Sequence, residues 1–403
     1  MRPYVHDEDF DSVLALWNEL NWLIECGNRR EGLAAFLRDA RGLVEEIDGR
    51  IEGHVTFRDG HMHHEGRSLR FTSLSSCCVS PVNRLGGFGT RASAAGVADA
   101  AERGQAVAAL GFFDQGFYDR IGFGTGCYDH RITVDPRTLK VPKLTRRPIR
   151  LGPDDLDRLY ACRRKSYRRH GAVSFPTRAD TEAELLWYPD NYYLGFEDEA
   201  GELTHCLGAR KRGEAGPDVV RWLCWQTRDQ LFELLAVFKS LGDSLYGIRL
   251  PDPPGVQLQD LVDRPFESSE KRAGGAFHQP TLGEAWEQWR ILQPAQVFAG
   301  VRAAGTLRFT VELTDPIAEH LGDRPWTGLS GVWTVELGDE CAMRRGGSGP
   351  AVRASVGAFS RWWLGVLPAT HLSLTDEFEA SGALLEDLDR CWRPPRPRND
   401  WEF

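Results

Sequence analysis

Leu74-Ser75-Ser76-Cys77-Cys78-Val79-Ser80-Pro81-Val82-Asn83-Arg84-Leu85-Gly86-Gly87-Phe88-Gly89-Thr90-Arg91-Ala92 is the stretch on which the fold turns. Its apolar start predicts a strand ending at Val79, Pro81 marks a turn, and Arg84-x-x-Gly87-x-Gly89 opens an alanine-rich helix ending near Gly104. Glycines at such a junction let successive backbone N–H groups approach a ligand with no Cβ in the way, and the helix N-terminus adds partial positive charge. The product is an anion cradle suited to a pyrophosphate, with Arg84 at its rim. No Gly-Lys pair exists for a Walker loop, and the dinucleotide fingerprint is not met between a strand and a helix.

Outward from this loop, Ala106-Val107-Ala108-Ala109-Leu110 predicts a buried strand, followed by Phe112-Phe113-Asp114-Gln115-Gly116-Phe117-Tyr118-Asp119-Arg120-Ile121-Gly122-Phe123-Gly124. Two echoes run through the first three hundred residues in the same order. Val5 to Val13 and Leu151 to Leu159 both read as a strand end, an acidic helix start and an amphipathic helix. Leu43 to His54 and Leu194 to Leu203 both read as two strands around a turn, Asp48-Gly49 in the first. The pairing argues for a duplicated domain. In the second copy, Val220-Arg221-Trp222-Leu223-Cys224-Trp225-Gln226-Thr227-Arg228-Asp229-Gln230-Leu231 has no glycine loop, so one cradle per chain is expected.

The proline-studded, basic stretch from Pro136 to Pro148 reads as a connector between the copies. From about residue 295 the style changes. Leu307, Phe309, Val311 and Leu313 alternate with polar residues, as do Trp333, Val335 and Leu337, which is the period of strands with one buried face. Domains are therefore expected at 1–145, 146–292 and 293–403.

With 41% hydrophobic and 27% charged residues among 403, the chain has ample material for packed cores. The balance of 49 basic against 58 acidic residues gives a net charge of −9, which is not the design of a nucleic-acid binder. No apolar run reaches the roughly 18 residues of a membrane span. The charged N-terminus does not read as a signal peptide, so a cytoplasmic protein is expected. The nine cysteines include no Cys-x-x-Cys, which disfavours a disulfide scaffold or zinc ribbon.

Strand, Arg-x-x-Gly-x-Gly helix, strand and Tyr118-x-Arg120-x-Gly122-Phe123-Gly124 resemble the GNAT acetyltransferase superfamily. The resemblance is closer to its Eis (enhanced intracellular survival) type and covers the full length, including a short tail with a terminal Phe, here Asn399-Asp400-Trp401-Glu402-Phe403. It implies an α+β architecture: tandem GNAT-like domains, each a mixed sheet flanked by helices with the second copy degenerate, then a sterol-carrier-protein-like α+β domain. It also implies acetyl-CoA as cosubstrate, a homohexamer, and a polyamine-like acceptor such as an aminoglycoside, or a lysine side chain. The acidic balance suits a cationic acceptor.

By the same resemblance Cys77 and Val79 hold the pantetheine arm through their backbones, and Arg84, Leu85, Gly87, Phe88 and Gly89 hold the pyrophosphate. The family commonly has further basic residues in this loop, where Leu85 and Gly86 stand here. Acetyl transfer to an amine needs a base, oxyanion stabilisation and a proton for the departing thiolate. Tyr118 is the candidate acid, since a phenol with its usual pKa near 10 keeps its proton at neutral pH; the alternative is a ring packed among Phe112, Phe113, Phe117 and Phe123. The resemblance makes the terminal carboxylate of Phe403 the base, with a merely hydrophobic anchor as the alternative. Glu402, Trp22 and Glu25 are the candidate acceptor contacts.

His61-Met62-His63-His64, near His54, lacks the Cys or carboxylate partners of a metal site, so a solvated turn and no metal are expected. Trp362 and Trp363 suggest either a lipid-cavity wall or plain core, the latter being preferred. A lipid- or small-molecule-binding protein with a vestigial first domain is the competing function.

Overall fold

The first sheet is built around two long strands, Arg50–His64 and Arg67–Val79, which pair antiparallel along almost their whole length. The computed structural model describes residues 1–23, 28–112, 115–166, 168–253, 255–275 and 278–399. The sheet runs Arg2–Pro3, Arg41–Ile47, Arg50–His64, Arg67–Val79, Val107–Gly111, Glu287–Ile291, Gly124–Thr125, with Val173–Ser174 on the Arg50–His64 strand. The Asp48-Gly49 turn has both residues at positive φ, 51° and 80°, as a two-residue hairpin requires.

A second sheet of seven strands runs Thr281–Glu284, Asp129–Val134, Ile248–Pro251, Asp218–Cys224, Leu203–Arg210, Asn191–Glu197, Ile149–Leu151. The two sheets exchange strands. Asp129–Val134 leaves the first half of the chain for the second sheet, whereas Glu287–Ile291 returns to stand between Val107–Gly111 and Gly124–Thr125. Trp289 and Ile291 of the returning strand bury against Met62 and Phe71, while Gln288 donates to Asp119 at 2.5 Å.

Helices cover the first sheet on both faces. Phe88–Glu102 lies close against one because its alanines and Gly96 leave room; a Cβ on Gly96 would sit 1.9 Å from the Phe57 ring. His6–Glu19 and Arg29–Arg38 cover the other through Val13, Leu16, Trp17, Leu33 and Phe36. In the second sheet, Arg228–Ser240 buries Leu231, Leu234 and Phe238 against Leu207, Val220 and Ile248. The connector after Asp129–Val134 forms only a short 3-10 turn at Pro136–Thr138 before Ile149–Leu151.

The third sheet runs Ala342–Arg345, Gly331–Leu337, Leu307–Thr314, Ala351–Ser355, Phe378–Glu379, and helices Val356–Leu364, Ala369–Thr375 and Gly382–Cys391 accompany it. Trp362 and Trp363 are core residues, each 1% exposed. The reading of His61 to His64 as a solvated turn is corrected: these residues are strand, and the turn falls at Glu65-Gly66. His64 is fully buried, stacked on Trp363 of helix Val356–Leu364 at 4.3 Å. A ring that packs face to face with an indole gains more there than in water.

Candidate active site

The glycine loop lies where the first sheet parts. Phe71 to Leu74 pair parallel with Val107 to Leu110, but the longer strand continues alone to Val79. At the point of parting the register with Arg50–His64 slips: Thr56 faces Ser76 and Phe57 faces Leu74, so Ser75 is an extra residue, a β-bulge. Ser80 donates its N–H to Glu52 O at 2.9 Å. By strand alternation the N–H and C=O groups of Val79 and Cys77 then point the other way, into the opened gap.

Pro81–Gly86 forms a 3-10 turn, Gly87 takes the left-handed conformation with φ 64°, and helix Phe88–Glu102 starts immediately. No side chain caps this helix, so the first-turn N–H groups of Phe88, Gly89 and Thr90 lack the intrahelical acceptors that later residues have. Asn83 Nδ2 donates to Glu45 Oε2 at 2.7 Å, and Arg91 joins Glu45 Oε1 (3.0 Å) to Gly86 O, which fixes the turn. Arg84, Leu85 and Gly87 are exposed, Leu85 completely; the Phe88 side chain is core. A Cβ on Gly89 would lie 3.3 Å from both Cys77 Sγ and the Phe117 ring, so this glycine serves close packing of helix on strand.

In the second sheet the corresponding strand-to-helix junction is capped. Asp218–Cys224 leads to Arg228–Ser240 through Thr227, whose hydroxyl accepts from Gln230 N at 3.3 Å while Gln230 Oε1 accepts from Thr227 N at 3.2 Å. That capping box takes up the N–H of Gln230, the counterpart of Thr90 in helix Phe88–Glu102.

Tyr118 opens a 3-10 turn beneath the helix and is only 3% exposed. Its hydroxyl faces the Cys77 thiol, and burial together with that neighbour pushes its pKa well above the usual phenol value. Phe117 and Phe123 flank it edge-on, at 4.8 Å and 6.3 Å. Tyr118, Cys77, Val79, Phe88 and Gly89 thus meet on the helix side of the sheet.

On the other side of the sheet a cavity of about 650 Å³ reaches from the parting point, Ser75 and Gly111, to the second sheet. Trp17, Trp22, Phe36 and Trp187 form its aromatic wall; Trp22 is 42% exposed and stands edge-on to Trp17 at 5.3 Å. Three of its carboxylates are paired with arginines, Asp129 with Arg398 at 2.5 Å, Glu184 with Arg163 at 2.9 Å, and Asp180 with Arg58. Burial raises Asp180 to about 6. The tail enters this cavity through Pro397, Arg398 and Asn399. Arg398 N donates to His170 O at 2.9 Å, and Asn399 Nδ2 donates to Glu287 Oε1 at 2.6 Å. Glu25, Glu402 and Phe403 lie outside the described residues, as does Asp114.

Glu287, Asn399, Ser75 and the Glu45–Arg91 clamp have no local motif to announce them. Glu287 in particular is separated from Gly111, its partner across the strands, by all the strands of the second sheet.

No family model matches the sequence, and no curated protein matches it. Solved structures do. A conserved protein of unknown function from Enterococcus faecalis V583 superposes with a TM-score of 0.79 at 15% identity, covering 100% of this chain and 99% of that one. A GCN5-related N-acetyltransferase from Kribbella flavida gives 0.73 at 16%, over 100% and 98%. Eis1 from Mycobacterium abscessus gives 0.75 at 17%, over 99% and 98%. Identities this low speak for the fold alone, and over its whole length this chain has the fold that Eis1 shares with GCN5-related N-acetyltransferases.

Proposed function

We propose that the protein is an N-acetyltransferase that moves an acetyl group from acetyl-CoA to the amine of a cationic acceptor, an aminoglycoside, a polyamine or a lysine side chain. The observation that carries this reading is the uncapped helix N-terminus at Gly87 beside a parted strand pair. Oriented N–H groups and a helix dipole favour a pyrophosphate there. The open edge of Cys77 and Val79 offers backbone partners to an extended amide-bearing arm. Arg84 and Leu85 would border the pyrophosphate, and Phe88 and Gly89 would meet it with backbone only.

Tyr118 supplies the proton for the departing thiolate, since its raised pKa keeps it protonated at neutral pH. Trp22 and Glu25 would contact the acceptor, and the tail would bring Glu402 and the terminal carboxylate of Phe403 to it. Under the family resemblance that carboxylate is the base, the assembly is a hexamer, and residues 293–403 are a sterol-carrier-protein-like domain.

Mixing the protein with acetyl-CoA and an aminoglycoside, a polyamine or a lysine peptide, and following free thiol, tests the reading. Release that depends on the amine is expected. A melting temperature raised by a lipid and untouched by acetyl-CoA would favour the lipid-binding alternative instead.

A further inference from the structure

Behind the wall of the cavity stand three thiols that acetyl transfer does not use. Cys206 on Leu203–Arg210 is the cross-strand partner of Cys224 on Asp218–Cys224, and its Sγ donates to Cys162 Sγ at 3.5 Å. Cys162 belongs to helix Leu156–Lys165, which buries Leu159 in the same cluster as the two strand cysteines. Cys206 is fully enclosed, whereas Cys162 keeps 3% of its surface. A single buried cysteine fills space as a small hydrophobe. Two thiols from separate elements with their sulfurs in contact can also be joined by one covalent bond.

That bond would act on the cavity through the next residue. Arg163 Nη1 donates to Glu184 Oε2 at 2.9 Å and to Thr181 Oγ1 at 3.2 Å, and its guanidinium lies 4.8 Å from the centre of the Trp222 ring. Trp222 Nε1 closes the circuit on Glu184 Oε1 at 2.7 Å. Arg163, Glu184 and Trp222 all line the cavity. A disulfide holds its sulfurs at about 2.05 Å, roughly 1.5 Å closer than Cys162 and Cys206 now stand. A closely packed interior transmits such a shift, so drawing the helix towards the strand carries Arg163 and its partners with it.

We propose that Cys162 and Cys206 form an oxidation site, which a peroxide joins as a disulfide and which thereby slows acetyl transfer. The effect on rate rests on the acetyl-transfer reading above; the disulfide does not. Cys162 meets the oxidant first, being the less enclosed of the two. The hydrogen bond from Cys206, helped by the charges of Lys165 and Arg163, holds its thiol below the usual pKa against the opposing effect of burial. The thiolate attacks one oxygen of hydrogen peroxide, the O–O bond breaks, and hydroxide leaves to become water with the proton that Cys162 released. Cys206 Sγ then attacks the sulfenic sulfur, the S–O bond breaks, and the hydroxyl departs as a second water with the proton of Cys206. Two thiols are oxidised by two electrons in all, and one peroxide is reduced to two waters. An added dithiol reverses the bond by exchange.

Hydrogen peroxide on the intact protein, followed by alkylation and peptide mass mapping, should reveal a Cys162–Cys206 cross-link that dithiothreitol removes. With acetyl-CoA and whichever amine of the panel the unaltered protein acetylates, the same treatment should slow the rate at least about tenfold, since a shift of about 1 Å is enough to spoil near-attack geometry. Dithiothreitol should restore it. Cys206→Ala, with Cys162→Ser as the second variant, should start within about twofold of the unaltered rate and keep that rate in peroxide. Failure of the cross-link to form overturns the site. Equal loss of rate in both variants overturns it too, because the sensitive group is then another cysteine such as Cys77. A cross-link in a protein silent with every amine supports the site and overturns acetyl transfer instead.

Discussion

Each group of the candidate site tests one link between side chain and chemistry. Tyr118→Phe removes a hydroxyl and no ring volume, so the cluster of Phe117, Phe123 and Tyr118 stays filled and the protein should fold. Loss of a general acid costs typically 10²-fold or more, so thiol release should fall by about that factor at unchanged acetyl-CoA affinity; turnover within about twofold would make Tyr118 a core ring. Gly87→Val acts differently. A Cβ on Gly87 meets only Arg91 Nη1, at 3.4 Å, so space is not the obstacle. At φ 64° a β-branched residue is strained by roughly 1–2 kcal/mol, and relief would rotate the N–H groups away from the cradle. Calorimetry should show acetyl-CoA binding weakened at least about tenfold, or about 1.4 kcal/mol; unchanged affinity would remove the loop from the coenzyme site. These residues were legible because their signals are local: a glycine spacing, a proline, an aromatic after a strand. Glu287 was not, since nothing in Glu287-Gln288-Trp289-Arg290-Ile291 says which sheet the strand will join.

At the scale of elements, the returning strand is what ties the three sheets together. Arg290 and Asp315, whose side chains are both 0% exposed, form an ion pair at 2.7 Å between this strand and the turn that follows Leu307–Thr314, and Arg290 also donates to Ile121 O. Asp315 in turn accepts from Leu329 N at 2.8 Å and Ile317 N at 3.3 Å. Arg290→Leu leaves that carboxylate buried without its cation, which costs on the order of 3–5 kcal/mol. The melting temperature should drop by several degrees, and Asp315→Asn in the same chain should recover part of the loss. A single substitution without thermal effect would show that water already reaches the pair. Hairpins and the amphipathic helices were readable from turn residues and periodicity, since a two-residue turn or a 3.6-residue stripe is set within a dozen positions. The exchange of Asp129–Val134 for Glu287–Ile291 depends on which half-sheet has an open edge, a property of the folded pair and not of either segment. The same limit explains His61 to His64: the histidines look polar in sequence, but helix Val356–Leu364 meets the strand and buries His64 against Trp363.

Across the whole molecule, the tail that follows the third sheet and its helices reaches back to the cavity lined by residues of the first two sheets. Trp392 Nε1 donates to Trp363 O at 2.9 Å, and prolines at 394, 395 and 397 stiffen the path that follows. Arg398 is then gripped three ways, its N–H on His170 O at 2.9 Å and its guanidinium on Asp129 at 2.5 Å and on Asp252 O at 2.6 Å. The described chain ends at Asn399, at the wall of the cavity, and under the proposed role of the terminal carboxylate its reach from there is set by chain length. One or two glycines added after Phe403 leave every side chain in place but carry the carboxylate away by about 3.3–3.6 Å per residue. Near-attack geometry is sensitive at about the 1 Å scale. The extended protein should therefore acetylate amines at least about tenfold more slowly, with acetyl-CoA affinity and melting temperature unchanged. A tag at Met1, 56% exposed, should leave the rate alone. Full activity in the extended protein would reduce Phe403 to an anchor that holds the tail by its ring and leaves its carboxylate idle.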